Sequence, residues 1–319
     1  MESVTLDQVD HGLVHALRLD GRASFARIGE VLGVSENTVA RRYRRLRSAG
    51  LLRVTGGVDG ARLGYQSWTV RLRCTPDAGV ALATALARRP DTYWVHLLSG
   101  GTEISCFTQA RSTDELLLDK LPRTGRLLSM TAQSILRGFA LPSGWPGGSP
   151  FTGEQIARLK PADPEPGDRP VVLTGGDHAL LGILAKDGRT GYNELAAATG
   201  WSESTAKRRV EQLRGLGVLV YEVEISAGTL GYQAEARLWM SMRPAGLVAA
   251  ATELASHPEV TFAAVTTGPT NLLAAVACRT TAELYAYLTE RVAALNDVHT
   301  LETAPVLRTV KRSGAILPR

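Results

Sequence analysis

A chain of 319 residues with 44% hydrophobic and 21% charged residues has an ordinary globular composition and is long enough for at least two hydrophobic cores. Its three cysteines, Cys74, Cys106 and Cys278, are too few and too scattered for a disulfide framework or a zinc site, which indicates a reducing cytoplasm. No stretch is apolar enough for a secretion signal or a membrane span, and a net charge of +5 permits a nucleic-acid partner without requiring one.

Three helices are predicted in the first 50 residues. Thr5 and Gln8 are spaced like a capping pair at the start of the first helix, and Ser24 is a favoured N-cap for the second. A tight turn at Gly33 then leads to a third helix that begins after Ser35. Two helices joined by a short glycine-containing turn, the second of them basic, are typical of a helix-turn-helix unit.

The third helix, up to Arg47, has two chemically different faces. At about 100° per residue, Val39, Tyr43 and Leu46 fall on one side, and the polar and basic residues fall roughly opposite. Five arginines are offset only by Glu36, and guanidinium groups pair bidentately with phosphates and guanine edges. The pattern predicts a DNA-recognition helix, with a merely solvated charged face as the alternative.

After this three-helix head the apolar period changes from that of a helix to that of a strand. A half-buried strand at 68–73 precedes a helix that ends before Pro90, and strands at 93–99 and 104–108 are joined across Gly100 and Gly101. Ser112 and Glu115 cap a further helix, and a last strand covers 127–137. This βαββαβ order is the ferredoxin-like arrangement.

The second half of the chain repeats the first. The Asp-Gly-Arg triplet at 20–22 returns at 187–189 and the Leu-Gly-Tyr-Gln run at 63–66 returns at 230–233, both at an offset of 167 residues. Thr174 and Asp177 cap the first helix of the second head. The second sheet domain is predicted as a strand to 242, a helix to 257, strands at 260–266 and 272–278, a helix at 282–295 and a strand at 299–311.

The predicted architecture is therefore α+β and duplicated, with two trihelical helix-turn-helix heads that each precede a ferredoxin-like βαββαβ domain. We place the first head at 1–57, the first sheet domain at 64–140, the second head at 177–224 and the second sheet domain at 231–314. Residues 141–176 are rich in proline and glycine and are predicted to be a linker. Thr152 and Gln155 form a capping pair before a short ordered segment inside it.

Several runs together carry a resemblance to a known family: Asp20 to Arg22, Ile28 to Gly33, Val39 to Arg42, and Leu63 with Gly64. They resemble the head of the Lrp/AsnC family of bacterial and archaeal transcription regulators, and the βαββαβ part is similar to that family's RAM effector-binding domain. Ordinary members carry one copy per chain and dimerise. The resemblance implies a DNA-binding regulator that assembles through its RAM domains and senses a small metabolite, often an amino acid. Because tethering makes their association intramolecular, we expect the two RAM domains to pair within one chain, which can assemble further as a homo-oligomer. We expect no cofactor and no metal.

The predicted site residues follow from these two parts. The DNA-binding candidates lie on the recognition helices: Ser35, Asn37, Thr38, Arg41, Arg42, Arg44, Arg45, Ser202, Ser204, Thr205, Lys207, Arg208, Arg209 and Gln212. In the family the RAM turn commonly reads Gly-x-x-Asp, and neither copy here keeps the Asp. The effector candidates at these turns are Ser99, Gly100, Gly101, Thr102, Glu103, Thr266, Thr267, Gly268, Thr270 and Asn271. The alternative is that both are hairpin turns selected for backbone geometry.

Two other functions are weighed against a regulator. Siroheme decarboxylases resemble Lrp/AsnC proteins, occur as fused or paired units, and use His and Arg near this part of the sheet. His96 is the one histidine in the first copy's strands, with Ala264 at the equivalent position, and the sequence shows no partner that would make it a general acid. We therefore expect no enzyme. A metabolite binder that has lost DNA binding conflicts with the basic helix.

The two recognition helices also differ in charge. Residues 35–47 carry +4 and residues 202–214 carry +2, with Glu211 and Gln212 standing where the first copy has Arg44 and Arg45. This difference predicts an operator with unlike half-sites, with the first head supplying most of the salt-dependent affinity.

Overall fold

A computed structural model describes residues 5–111, 126–140, 145, 151–164, 170–312 and 315–316. These residues fall into two compact units. The head unit contains residues up to 64 and those from 148 to 230, and the sheet unit contains residues 65–147 and those from 231 onward.

The helices and strands are numbered in chain order. The helices are α1 Gln8–Leu19, α2 Phe25–Leu32, α3 Glu36–Ser48, α4 Gly79–Ala87, α5 Gly153–Leu159, α6 Gly175–Leu184, α7 Tyr192–Thr199, α8 Glu203–Gly215, α9 Pro244–Ser256 and α10 Thr281–Ala286, which continues as a π-helical segment, Tyr287–Val292. The strands are β1 Arg53–Val58, β2 Gln66–Cys74, β3 Thr92–Leu98, β4 Glu103–Ala110, β5 Leu127–Ala140, β6 Leu219–Glu224, β7 Ala234–Met242, β8 Val260–Thr266, β9 Leu272–Cys278, β10 Val298–Arg312 and β11 Ala315–Ile316.

Most of the predicted helix starts in the head unit are confirmed. Ser24 and Ser35 cap α2 and α3, and Thr174 forms a capping box with Asp177 at α6. The predicted cap of α1 is wrong, because Asp7 and not Thr5 is its N-cap. Asp7 accepts from the backbone N–H of Asp10 at 3.0 Å while the Asp10 carboxylate accepts from the N–H of Asp7 at 3.1 Å.

The two heads are joined by an antiparallel ribbon that the sequence did not predict. Strand β1 pairs with β6 from Arg53 opposite Glu224 to Val58 opposite Leu219. Arg53 donates to the Glu224 carboxylate at 2.6 and 2.9 Å. The backbone N–H and C=O groups of each strand are hydrogen-bonded to the strand of the other head, so neither strand can be recognised from its local sequence.

Reciprocal contacts between the Asp-Gly-Arg turns strengthen this pairing. Arg22 donates to the carbonyls of Gly188 and Thr190 at 2.8 and 3.0 Å. Arg189 donates to the carbonyls of Gly21 and Ala23 at 2.7 and 3.0 Å. Because each head gives the other the same pair of charge-assisted bonds, the heads form a pseudo-symmetric pair.

The ordered segment predicted inside the linker is confirmed as α5. Thr152 and Gln155 form its capping box, and the Gln155 side chain also donates to the carbonyl of Val31 at 3.0 Å. Leu159 at its end is fully buried. This part of the linker is therefore docked on the first head.

The sheet unit contains both predicted ferredoxin-like domains. The second copy has the complete βαββαβ order, β7, α9, β8, β9, α10 and β10. In the first copy β2, α4, β3, β4 and β5 agree with the prediction, and the helix predicted at Ser112 and Glu115 lies outside the described residues.

The two sheet domains pair within the chain by exchanging the ends of their last strands. Strand β5 pairs first with β2 of its own domain and then, from Ile135 opposite Thr266, with β8 of the other. Strand β10 pairs with β7 up to Pro305 and then, from Val306 opposite Leu98, with β3. The intrachain pairing expected from the duplication is thus made by backbone hydrogen bonds as well as side chains.

Side chains alternate between the two faces of the strands, so the sheet unit has a different hydrophobic core on each face. In the first domain Val70 and Leu72 pack with the residues of α4, whereas Arg71 points to the opposite face. The faces opposite the helices share an aromatic cluster that includes Phe107, Trp239 and Phe262. The polar residues described below lie on these inner faces.

Candidate DNA-binding and effector sites

Helix α3 exposes the polar face that the sequence predicts. The Ser35 hydroxyl accepts from the backbone N–H of Thr38 at 3.2 Å, while Val39 and Leu46 are fully buried. Asn37, Arg41 and Arg44 are exposed. Within the described residues Arg41 has no ion pair, and the guanidinium of Arg44 donates only to the carbonyl of Ala40 at 3.3 Å.

Two of the predicted DNA-binding arginines of α3 bind the start of α1. Arg42 pairs with the carboxylates of Asp7 and Asp10, and Arg45 pairs with Asp10. Asp10 is fully buried and so needs these cations. Arg45 is still 44% exposed, but its charge is partly neutralised, which removes much of the reason to assign it to DNA.

Helix α8 repeats this arrangement. The Ser202 hydroxyl accepts from the N–H of Thr205, Ser204 is exposed beside it, and Lys207 and Arg208 are exposed. Arg209 donates to both carboxylate oxygens of Asp177 at 2.6 and 2.7 Å and also to Gln212 at 2.7 Å.

The bond from Arg209 to Asp177 has an electrostatic consequence. This bond, with the bonds from Thr174, lowers the pKa of Asp177 to about 2, although burial acts in the opposite direction. Asp177 is therefore ionised throughout the neutral range. Arg209 links α8 to the start of α6, whereas Gln212 is exposed and accepts a hydrogen bond from Arg209.

The predicted charge difference between the recognition helices is largely removed by these pairs. Arg47 pairs with Asp187 at 2.6 Å, and Arg214 pairs with Asp20 at 3.0 Å. The cations left without an ion pair among the described residues are two on each helix: Arg41 and Arg44 on α3, and Lys207 and Arg208 on α8. We therefore no longer expect the first head to dominate the salt-dependent affinity.

The first predicted effector turn, Ser99 to Glu103, is called loop 1. The hydroxyl of Thr102 donates to the carbonyl of Ser99 at 2.8 Å, and Gly101 packs against α4. A Cβ at Gly100 would meet no atom of the described residues within 4 Å, so this position of the turn faces open space among them.

Glu103 belongs to a network that sequence reasoning missed. Arg71 donates to Glu103 at 3.1 Å and to Glu302 at 2.7 Å, and Arg73 donates to the same two carboxylates at 3.1 and 3.2 Å. The guanidinium of Arg71 also lies 4.0 Å from the ring centre of Trp239. The alternation of Arg71 and Arg73 on β2 was visible in the sequence, but their partner Glu302 lies on another domain.

The equivalent turn in the second copy, Thr266 to Asn271, is called loop 2, and its polar groups are satisfied within the protein. Asn271 accepts from the N–H of Met242 and donates to its carbonyl, both at 2.9 Å. Thr266 donates to the carbonyl of Thr270 at 3.0 Å, and Thr267 exchanges bonds with the backbone of Ser134 at 2.9 Å. This supports the alternative that loop 2 is selected for its own geometry.

His96 has a partner that the sequence could not show. Its Nε2 accepts from the guanidinium of Arg237, so its Nδ1–H donates to Thr309 at 3.1 Å. Burial, with the nearby charges of Arg237 and Arg312, holds the pKa of His96 well below its usual value, and burial lowers the pKa of Arg237 to about 10. His96 is therefore a neutral, buried acceptor.

Two kinds of site are not found in the part of the chain that the structure describes. There, no group of His, Cys, Asp or Glu side chains could hold a metal ion. Among the same residues, no helix is both long and apolar enough to cross a membrane.

Two helix-turn-helix heads, each followed by a ferredoxin-like sheet domain, define a class of helix-turn-helix proteins with a separate ligand-binding domain. Residues 6–47 and 173–214 match the AsnC-type helix-turn-helix domain, and residues 235–316 match the Lrp/AsnC ligand binding domain. The chain belongs to the Lrp/AsnC family, in a tandem duplicated form.

Relatives of single-copy length match about half of the chain. An uncharacterized HTH-type transcriptional regulator of Pyrococcus horikoshii is 31% identical over 150 residues, which are 47% of this chain and 94% of that protein. Regulatory protein AsnC of Escherichia coli is 30% identical over 142 residues, which are 42% of this chain and 93% of that protein.

A solved structure matches the duplicated fold at nearly full length. The crystal structure of the siroheme decarboxylase NirDL has a TM-score of 0.64 at 14% identity and covers 95% of this chain and 92% of that chain. At this identity the likeness concerns the fold.

Proposed function

We propose that this protein is a sequence-specific transcriptional regulator that binds double-stranded DNA with both heads, and that it is not an enzyme. The observation that carries the proposal is the pair of capped recognition helices, each with two exposed cations left unpaired by the described residues. Protein cations that meet DNA phosphates release counterions, which supplies sequence-independent affinity.

The joined heads make a two-part operator the natural target. The ribbon of β1 and β6 and the reciprocal bonds of Arg22 and Arg189 hold the heads as one unit, so both helices are presented together. Their outer residues differ, because Asn37 and Arg44 of α3 correspond to Ser204 and Glu211 of α8. Arginine suits guanine, whereas glutamate can accept from cytosine and is repelled by phosphate. The two half-sites should therefore differ in sequence.

Selection from random double-stranded DNA with the purified full-length chain tests this proposal. The expected product is a two-part site whose halves are unlike. A perfectly palindromic site would show that the heads read DNA as equivalents. Recovery of no common sequence, with binding that disappears at physiological salt, would refute sequence-specific binding.

The finer part of the proposal is that a small metabolite, an amino acid in the first instance, binds the sheet unit and modulates the regulator. Loop 1 supports it, because a Cβ at Gly100 would meet no described atom within 4 Å, and the half-exposed Arg73 and Glu302 lie beside this turn, with Arg73 bonded to Glu103 at 3.1 Å. Loop 2 gives it no support, since its side chains are engaged by the protein.

The enzymatic alternative is a siroheme-decarboxylase-like activity, which the likeness to NirDL in fold keeps in view. A histidine general acid acts from its imidazolium form, but His96 is buried and neutral, and its Nε2 accepts from Arg237. We expect no tetrapyrrole absorption band after incubation with an iron tetrapyrrole and gel filtration. A band that is retained by the wild type and lost in His96→Ala would favour the enzyme.

A further inference from the structure

Each recognition helix presents one outward row of three exposed side chains. Residues three and four positions apart are neighbours on a helix surface, and the N-terminal part of a recognition helix is the part that contacts base edges. The row on α3 and its counterpart on α8, at the repeat offset of 167 residues, consist of Asn37, Arg41 and Arg44 and of Ser204, Arg208 and Glu211. The first two positions of each row are therefore the candidates for base contacts.

The middle position of the row is the same in both helices. Arg41 and Arg208 are exposed, and neither has an ion pair or a side-chain hydrogen bond within the described part of the chain. An arginine of this kind in the major groove binds the O6 and N7 acceptors of guanine as a bidentate pair. Both heads therefore offer the same guanine contact, which does not distinguish one half-site from the other.

The first position of the row carries different chemistry in the two heads. Asn37 is exposed, and among the described residues its side-chain amide has no hydrogen-bond partner. An amide has one carbonyl acceptor and two N–H donors, which match the N6 donor and the N7 acceptor that adenine presents in the major groove. Asn37 is therefore available for a bidentate contact with adenine.

The Ser204 hydroxyl is engaged at the start of its own helix. It lies 3.0 Å from the hydroxyl of Ser202, which also accepts from the backbone N–H of Thr205 at 3.2 Å and lies 2.8 Å from the Thr205 hydroxyl. On α3 the described partners of the Ser35 hydroxyl are both on Thr38. A serine is also shorter than an asparagine and has one oxygen in place of a separate donor and acceptor. The second head therefore has no bidentate adenine contact at this position.

The spacing within the row determines how far apart the two contacts fall on the DNA. The Cβ atoms of residues four positions apart on a helix are separated by about 5 to 6 Å. Successive base pairs are separated by about 3.4 Å along the duplex. The bases contacted by Asn37 and Arg41 should therefore be about one or two steps apart.

We propose that Asn37 contacts an adenine one or two base steps from the guanine contacted by Arg41, and that the second half-site has the guanine of Arg208 without this adenine. Asn37 is thus a specificity-determining residue of the first half-site, and position 204 is silent. This inference rests on the proposed binding of DNA by both heads, and it names one residue and one base by which the half-sites differ.

Selection from random double-stranded DNA with the wild type, Asn37→Ser and Ser204→Asn tests the inference. Each variant places the residue of the other head at an exposed position without a change of charge, so each is the matched control of the other. The wild type should select guanine in both halves and the adenine in one. Asn37→Ser should lose the adenine preference, and Ser204→Asn should gain it in the second half.

Affinities for the selected wild-type site give the size of the effect. Replacing the adenine by guanine should weaken wild-type binding by about five- to 150-fold, which is the loss of one bidentate contact. The same replacement should leave the affinity of Asn37→Ser nearly unchanged. Guanine retained in both halves shows that the variants are folded and bind with both heads.

Any of three results overturns the inference: the adenine in both halves of the wild-type site, an adenine preference that survives in Asn37→Ser, or no new preference in Ser204→Asn. The same selections separate this from failure of the proposed function. If the wild type selects no common sequence, sequence-specific binding itself is refuted. A common sequence that lacks the adenine refutes only the assignment of Asn37.

Discussion

Arg44 and Arg45 are adjacent on α3, and the structure gives them different tasks that can be separated by single substitutions. Arg44 is exposed and donates only to its own helix, at the carbonyl of Ala40. Arg45 pairs with the fully buried carboxylate of Asp10, of which Oδ1 already has no hydrogen-bond partner among the described residues. Arg44→Ala should therefore affect DNA binding, and Arg45→Ala should affect stability.

The expected sizes follow from these contacts. One lost phosphate contact reduces the slope of log K against log salt by about 0.9, so between about 50 and 200 mM salt the Arg44→Ala variant should lose three- to fourfold less affinity than the wild type. Arg45→Ala removes one charged hydrogen bond to the buried carboxylate of Asp10, which still has Arg42 at 3.2 Å. Loss of that bond should lower the free energy of unfolding by about 1 to 3 kcal/mol.

Fluorescence anisotropy with a labelled operator at four or more salt concentrations gives the slopes, and urea unfolding gives the stabilities. Each variant is the matched control of the other, since both delete an arginine from the same turn. If Arg45→Ala flattens the salt slope while unfolding like the wild type, Arg45 reaches DNA and its bond to Asp10 is incidental. The assignment of Arg45 to the support of α1 would then be wrong.

Three further predictions concern stability. Because Arg209 lowers the pKa of Asp177 to about 2 from 3.8, this pair stabilises the fold above pH 4 and its contribution is lost as the pH falls towards 2. Arg209→Ala should be less stable at pH 7 and should lose less on going to pH 3 in urea unfolding; an equal loss would contradict this. His96 is neutral when folded but binds a proton below about pH 6.5 when unfolded, so stability should fall with pH below 6.5 by up to about 1.4 kcal/mol per unit. His96→Gln should flatten that fall, and an unchanged slope would show that His96 is protonated in the fold. Arg22→Ala and Arg189→Ala each remove two bonds to carbonyls of the other head and should cost similar amounts, about 1 to 3 kcal/mol each. A large difference between them would mean that the heads are not paired symmetrically.

The helices and sheet domains could be predicted from sequence because their signals are local. Serine caps, the glycine-containing turn and the change of apolar period all act within a few residues, and Thr152 even predicted the helix inside the linker. The ribbon of β1 and β6 could not be predicted from sequence, since its paired residues are more than 160 positions apart in the chain.

The ion pairs of the arginines could not be predicted for a related reason. Helical periodicity shows which side chains point outward, but not that an aspartate on another helix lies within reach. A signal was available in the duplication: Asp10 and Arg42 are 32 residues apart, and so are Asp177 and Arg209. A charge pair repeated at equal spacing in both copies predicts a structural ion pair better than two DNA contacts.

The exchange of strand ends has a consequence for synthesis of the chain. Strand β5 is complete at Ala140, but β8, which pairs with its second half, begins only at Val260. At a synthesis rate of about 5 to 20 residues per second, the second half of β5 stays unpaired for on the order of 6 to 24 s before synthesis reaches β8. An unpaired strand edge is a template for pairing with a neighbouring nascent chain. Chains growing on one messenger should therefore be most prone to swap strands while residues 140–260 are being made, and slowing translation there should increase entangled dimers.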